Sequence, residues 1–166
     1  MQNLDGQGRT PIATGRSPRW SPDGSQLALS DQGNVHVIDL VTGESRTLFR
    51  NPKQTIYYGF SWFPDAKRLA VVVRPERRKP RQLLFVSADG EEQGIRLRLT
   101  GEMAGFNSFS PDGTKLVYDN AYKIHIVEVD GTSKHVQLKG QKGANRDPDW
   151  SPDGEWIAFT SSRDPL

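Results

Sequence analysis

The residues of this 166-residue chain whose types could do chemistry are three histidines, a knot of carboxylates and a short run of cations. His36 in "NVHVIDL" and His125 in "KIHIVEV" hold the same place in two similar segments, and Leu84 holds it in a third, "QLLFVSA". A metal would need a further ligand spaced with them, and none is present. The pair therefore reads as one packing position filled twice by imidazole, with pH-linked sensing as the chemical alternative. His135, in "KHVQL", is expected on an exposed outer strand. Asp147, Asp149, Asp153 and Glu155 crowd into "RDPDWSPDGE" and invite a calcium reading. The spacing of an Asp-x-Asp-x-Asp-Gly loop is not met, because Pro152 interrupts it and Asp153 already has a turn to make. The chain has no cysteine, which removes disulfides, thiolate metal sites and a cysteine nucleophile. No G-x-S-x-G elbow occurs either. The sequence thus assigns no catalytic residue, no metal and no cofactor.

The cations lie in "RPERRKPR": Arg74, Arg77, Arg78, Lys79 and Arg81, bracketed by Pro75 and Pro80. Without interleaved aromatics or a companion basic stripe, this reads as a long solvated hairpin loop, not as a nucleic-acid surface. An acidic protein surface or anionic lipid is its functional alternative. The formal charge of +2 is close to balance, which also argues against a polyanion partner. No apolar run is long enough to span a bilayer, and "MQNLDGQGRTPIATG" lacks the parts of a signal peptide, so a soluble chain without a leader is expected.

What must position these residues is a repeat. "WSPDGSQLALS" from Trp20 returns as "WFPDAKRLAVV" from Trp62, "FSPDGTKLVYD" from Phe109 and "WSPDGEWIAFT" from Trp150. The marker prolines, Pro22, Pro64, Pro111 and Pro152, are 42, 47 and 41 residues apart. A period of roughly 40–45 residues with several strands per unit is that of a propeller blade. In the turn, Pro presets φ, Asp bonds its own backbone two residues on, and Gly takes a positive φ; Ala66 stands where the second copy would have Gly, and the turn is expected to survive. Each turn precedes a continuous apolar run suited to burial on both faces. A second strand follows, then a Gly turn and a more polar segment fit for an outer edge. The aromatics Trp20, Trp62, Phe109 and Trp150 are expected to pack between blades.

The predicted fold is all-β: a propeller of about four four-stranded blades in one domain, 1–166. Its units run approximately 17–59, 60–106 and 107–147, with 148–166 completed by 1–16 or left incomplete. The phrases "RWSPDGSQLALS" and "PDWSPDGEWIAFTSSRD" resemble the repeats of TolB-like β-propellers, a likeness that covers essentially the whole chain. The resemblance implies a binding platform for a protein or peptide, without enzymatic activity, in the periplasm or otherwise outside the cytoplasm. The alternative it offers is the substrate-gating propeller of a prolyl oligopeptidase-like serine peptidase, apart from its catalytic domain. An incomplete ring would also seek a second copy of the chain.

Loops at the mouth of the central channel are where such a platform would bind. "TIYYGF" carries more aromatics than the repeat needs, in a segment taken as connecting. The predicted rim is Arg16, Arg19, Tyr57, Tyr58, Phe60, Asn107, Arg146, Asp147 and Asp149, with the two aspartates placed just before an innermost strand.

Overall fold

The computed structural model describes Gly8 and residues 10–50, 55–74, 82–89, 92–98, 108–130, 132 and 134–162; of 55–58, 74 and 92–98 it describes the backbone alone. All the regular structure among the described residues is β. The first sheet consists of β1 (Arg16–Trp20), β2 (Gln26–Asp31), β3 (Asn34–Asp39) and β4 (Ser45–Phe49), paired in that order. The second has β5 (Thr55–Trp62), β6 (Arg68–Arg74), β7 (Gln82–Ser87) and β8 (Glu92–Arg98). The third has β9 (Ser108–Phe109), β10 (Lys115–Asn120), β11 (Lys123–Glu128) and β12 (His135–Gln137). The last pairs β13 (Asn145–Trp150) with β14 (Ile157–Ser161). Every pairing is antiparallel, and the units are in step: Leu27 faces Ile38, Leu69 faces Val86 and Leu116 faces Val127.

Hydrogen bonds within "SPDG" explain why the phrase recurs. The Ser21 hydroxyl donates to Asp23 Oδ1 at 2.6 Å and accepts the Gln26 N–H at 2.9 Å. The same carboxylate oxygen accepts the Ser25 N–H, while the Gly24 N–H closes the turn on Ser21 O with φ at +74°. Ser110, Asp112 and Gly113 repeat this, as do Ser151, Asp153 and Gly154. Donation from the serine hydroxyl, then from the backbone, lowers Asp23 and Asp153 below the ordinary carboxylate range and takes Asp112 to about 2. The second turn survives with Ala66 at φ +57°, its N–H still reaching Phe63 O at 3.1 Å.

Sheets stack in succession. The run "RLAVVV" divides by parity: Leu69, Val71 and Val73 enter one core with Ala28, Val35 and Val37 of the first blade, while Ala70 and Val72 enter another with Leu116, Tyr118 and Val127 of the third. Each of these leucines and valines taken out of water contributes about 1.5–3 kcal/mol, and the alanines less. Phe63 anchors the second core, stacked on Phe109 at 4.1 Å and edge-on to Phe85 at 5.0 Å. The turns stack too, since a Cβ added to Gly113 would lie 3.5 Å from Pro64, and one on Gly154 3.4 Å from Pro111. Of the aromatic series, Trp62 and Phe109 are buried as expected, and the Trp62 indole N–H donates across to Arg19 O at 3.1 Å. Trp20 departs from the expectation at 54% exposure, because no sheet among the described residues precedes the first blade to cover its ring. The last blade is two-stranded among the described residues, and the segments 1–7 and 163–166, on which its completion by the N-terminus turns, lie outside them.

Candidate functional site

The first strands of the blades run side by side along the inner edge, β1 against β5 and β9 against β13. Three of them share an irregularity. Register slips between Arg16 and Arg19 in β1, between Ile56 and Phe60 in β5, and between Arg146 and Asp149 in β13. In each slip, three positions before the Trp, sits a residue at positive φ: Ser17 (+52°), Gly59 (+96°) and Asp147 (+51°). This is a β-bulge, one extra residue in β1 and β13 and two in β5, which bends the strand and re-aims the side chain before it. Ser and Asp tolerate the left-handed region better than larger residues do, yet each still costs on the order of 1–3 kcal/mol there. The second strand supports the bend: Ser30 Oγ donates to Arg16 O at 3.2 Å, and Thr160 Oγ1 donates to Arg146 O at 3.1 Å.

The consequence is that Arg16 and Arg146, in matching positions of the first and fourth blades, stand exposed on the inner rim. Neither guanidinium meets a carboxylate among the described residues. Beside Arg16 opens a groove of 470 Å³ lined by Arg16, Ser17, Ser30, Asp31, Gln32 and the glycines 33 and 59. Beside Arg146 lies the hairpin joining β10 to β11, whose two turn residues, Ala121 (φ +47°) and Tyr122 (φ +64°), both adopt the left-handed conformation of a type I′ turn. The matching turn of the first blade uses Gln32 and Gly33. A tyrosine in that region costs roughly 1–2 kcal/mol. Its ring is 49% exposed and lies under the Arg146 guanidinium, 4.6 Å from Cζ, a contact worth about 0.5–1 kcal/mol at an exposed site. The Tyr122 carbonyl also accepts the Asn145 N–H at 2.9 Å, tying the third blade to the fourth.

Comparison with known proteins agrees with this architecture. No family model matches the chain. It is 31% identical to an uncharacterised protein of Agrobacterium fabrum over 154 residues, 89% of this chain and 50% of that one. It is 33% identical to the Tol-Pal system protein TolB of Alcanivorax borkumensis over 66% of this chain and 26% of that protein. Against the uncharacterised peptidase YuxL of Bacillus subtilis it is 28% identical over 87% of this chain and 21% of that protein. A solved structure of a TolB-type protein from Agrobacterium tumefaciens superposes with a TM-score of 0.71 and 25% identity, covering 89% of this chain and 53% of that one. The repeats of this chain are TolB-like β-propeller repeats. It spans about half the length, or less, of the curated relatives it matches.

Within the TolB-like frame the predicted rim divides. Arg16, Arg19, Arg146, Asp147 and Asp149 are all exposed, and they belong to the first strands themselves, not to loops before them. Arg19 also serves the fold, through the carbonyl that receives Trp62. Phe60 must be withdrawn from the rim: it is 4% exposed and packs in the core between the first two blades. "TIYYGF" is no connecting segment but the body of β5, and Tyr57 and Tyr58 lie on that strand. Asn107 falls outside the described residues, as does most of "RPERRKPR"; Arg74 ends β6.

The histidines share one register position among the blades, His36 opposite Leu29, Leu84 opposite Val71 and His125 opposite Tyr118. His36 Nδ1 is 3.1 Å from the Thr47 hydroxyl, and the His125 ring stacks on Tyr118 at 5.5 Å. Burial, then the nearby His135, pushes His125 below the ordinary histidine range. His135 is half-buried, not exposed, because β12 brings its Nδ1 within 2.7 Å of the hydroxyl of fully buried Tyr118. Among the described residues, no three His, Asp or Glu side chains converge as a metal cluster would require. The sequence reading missed Tyr122; the only signal was that the two central positions of "NAYK", where a tight hairpin had to turn, hold Ala121 and Tyr122 in place of Gly or Asn.

Proposed function

We propose that this chain is a non-enzymatic recognition scaffold whose inner rim binds a protein or peptide, and that Arg16 and Arg146 are its principal contacts. The observation that carries the reading is the bulge repeated in the first strands, a backbone distortion that sets two guanidiniums on the rim without a carboxylate partner among the described residues. Packing of the sheets does not need those side chains, whereas a partner surface does. Complementarity, with Arg19, Asp147 and Asp149 tuning charge along the same edge, is the mechanism. The resemblance to TolB favours a site of action outside the cytoplasm, and no partner nucleic acid or membrane span belongs to the reading; no helix among the described residues is long and apolar enough to cross a membrane. A second copy of the chain is one partner that the edge of the β13–β14 sheet would accept.

The test is selection of a displayed peptide library on the wild-type chain and on the double variant Arg16→Glu, Arg146→Glu. Peptides enriched on the first and lost on the second are expected. Enrichment that is indifferent to both substitutions overturns the rim. A second reading, the substrate-gating portion of a serine peptidase, is favoured by the similarity to YuxL over one fifth of that protein. A hydrolase domain with a nucleophile elbow in the same reading frame, and peptide cleavage by the whole product, would decide for it.

A further inference from the structure

The hairpin at the junction of the third and fourth blades is built against the local preference of its backbone. Both turn residues, Ala121 and Tyr122, sit at positive φ, where Asn-Gly would sit without strain. The Tyr122 ring does not offset this by burial, since about half of it faces solvent, and its contact with Arg146 is worth less than the strain it accompanies. What the ring does is geometric: it lies beneath the Arg146 guanidinium, 4.6 Å from Cζ, and so restrains a long, flexible side chain. A guanidinium held in this way still has donors to offer, and a parallel pair of its N–H groups matches the two oxygens of a carboxylate. From below, the strand fixes the same residue, because Asp147 bulges next to it and Thr160 holds the Arg146 carbonyl.

We propose that Tyr122 is a positioning residue, which holds the Arg146 guanidinium in place for a carboxylate of an acidic peptide docking at this junction. The inference rests on the rim reading above and names the chemistry of its partner. Asp147 and Asp149, exposed on the same strand, disfavour a second anion close by, so the junction takes one carboxylate and sets the register of the peptide.

Hexaglutamate serves as the probe and hexaglutamine as its neutral control, titrated into the full chain while the Arg146 Nε–H resonance is followed by NMR. Hexaglutamate is expected to shift that resonance and hexaglutamine to leave it. Tyr122→Gly, which removes both ring and strain, should raise Tm yet weaken hexaglutamate binding by about fivefold to tenfold. Tyr122→Phe, which restores the ring, should recover the affinity, and Arg146→Lys, which keeps the charge without the planar fork, should not. A structural clamp alone would show the opposite pattern, with Tyr122→Gly lowering Tm and leaving affinity unchanged; that result overturns the proposal. So does an Arg146 resonance indifferent to hexaglutamate. If displayed peptides still depend on Arg16 and Arg146 in either case, the rim stands and only the role of Tyr122 falls.

Discussion

The second and fourth blades share a proline-centred turn, yet the faces they turn outward have different surroundings. Ala28, Ala70 and Val117 are 0%, 2% and 0% exposed on the faces their blades turn to the next one, while Ala158, the fourth copy of that position, is exposed. Trp156, on the same face, is 71% exposed. The turns tell the same story from the other end: Gly113 and Gly154 each rest against the proline of the preceding turn, whereas a Cβ on Gly24 would meet nothing within 4 Å. Hydrogen bonding inside the turn is local and forms in all of these blades. Burial belongs to the neighbour, so one repeated phrase has a core position in one blade and a surface position in another.

The largest separation of the two regions should come from Phe63→Ala against Trp156→Ala. Phe63 is wholly buried between Phe109 and Phe85, and its loss should cost about 3–5 kcal/mol in urea unfolding. Trp156→Ala should stay within about 0.5 kcal/mol. A comparable penalty at both sites would mean that the outer face of the fourth blade is covered in solution. Overpacking sharpens the point: Ala28→Leu should lose about 1–3 kcal/mol and Ala158→Leu almost nothing, read from the same denaturation curves.

Smaller effects probe the turns, which the blades share. Ala66→Gly relieves the one non-glycine copy of the closing position and should gain about 0.5–1 kcal/mol in thermal melts; a loss would mean that the alanine methyl is packed. The smallest effect is a pH dependence. Asp112 titrates near 2 when folded against an ordinary 3.8, so its contribution is present in full above 3.8 and disappears as pH falls through 2. Asp112→Ala should therefore lower Tm at pH 7, and the gap from wild type should close between pH 4 and 2. A gap that persists at pH 2 would assign the effect to something other than this carboxylate.

The parts of the fold legible in the sequence are those with local causes. Pro, Asp and Gly at fixed offsets specify the turn whatever surrounds it, and an unbroken apolar run such as "RLAVVV" calls for cover on both sides. The site was less legible, for equally physical reasons. Ser17, Gly59 and Asp147 share a conformation but no chemistry, so nothing in the residue types marks the bulge. Phe60 looked surplus to a repeat whose pattern gives no weight to the position just past the bulge, and it proved to be core. His135 could be placed only once pairing put it beside Tyr118, seventeen residues away.

By itself the sequence determined that the chain would fold as successive small antiparallel sheets, because each bend is encoded within about six residues and each strand by its own apolar content. The tertiary structure alone decided which faces are dry and which arginines are exposed on the inner rim. Those outcomes depend on the neighbouring sheet and on a one-residue slip in pairing, and neither is a property of any single segment.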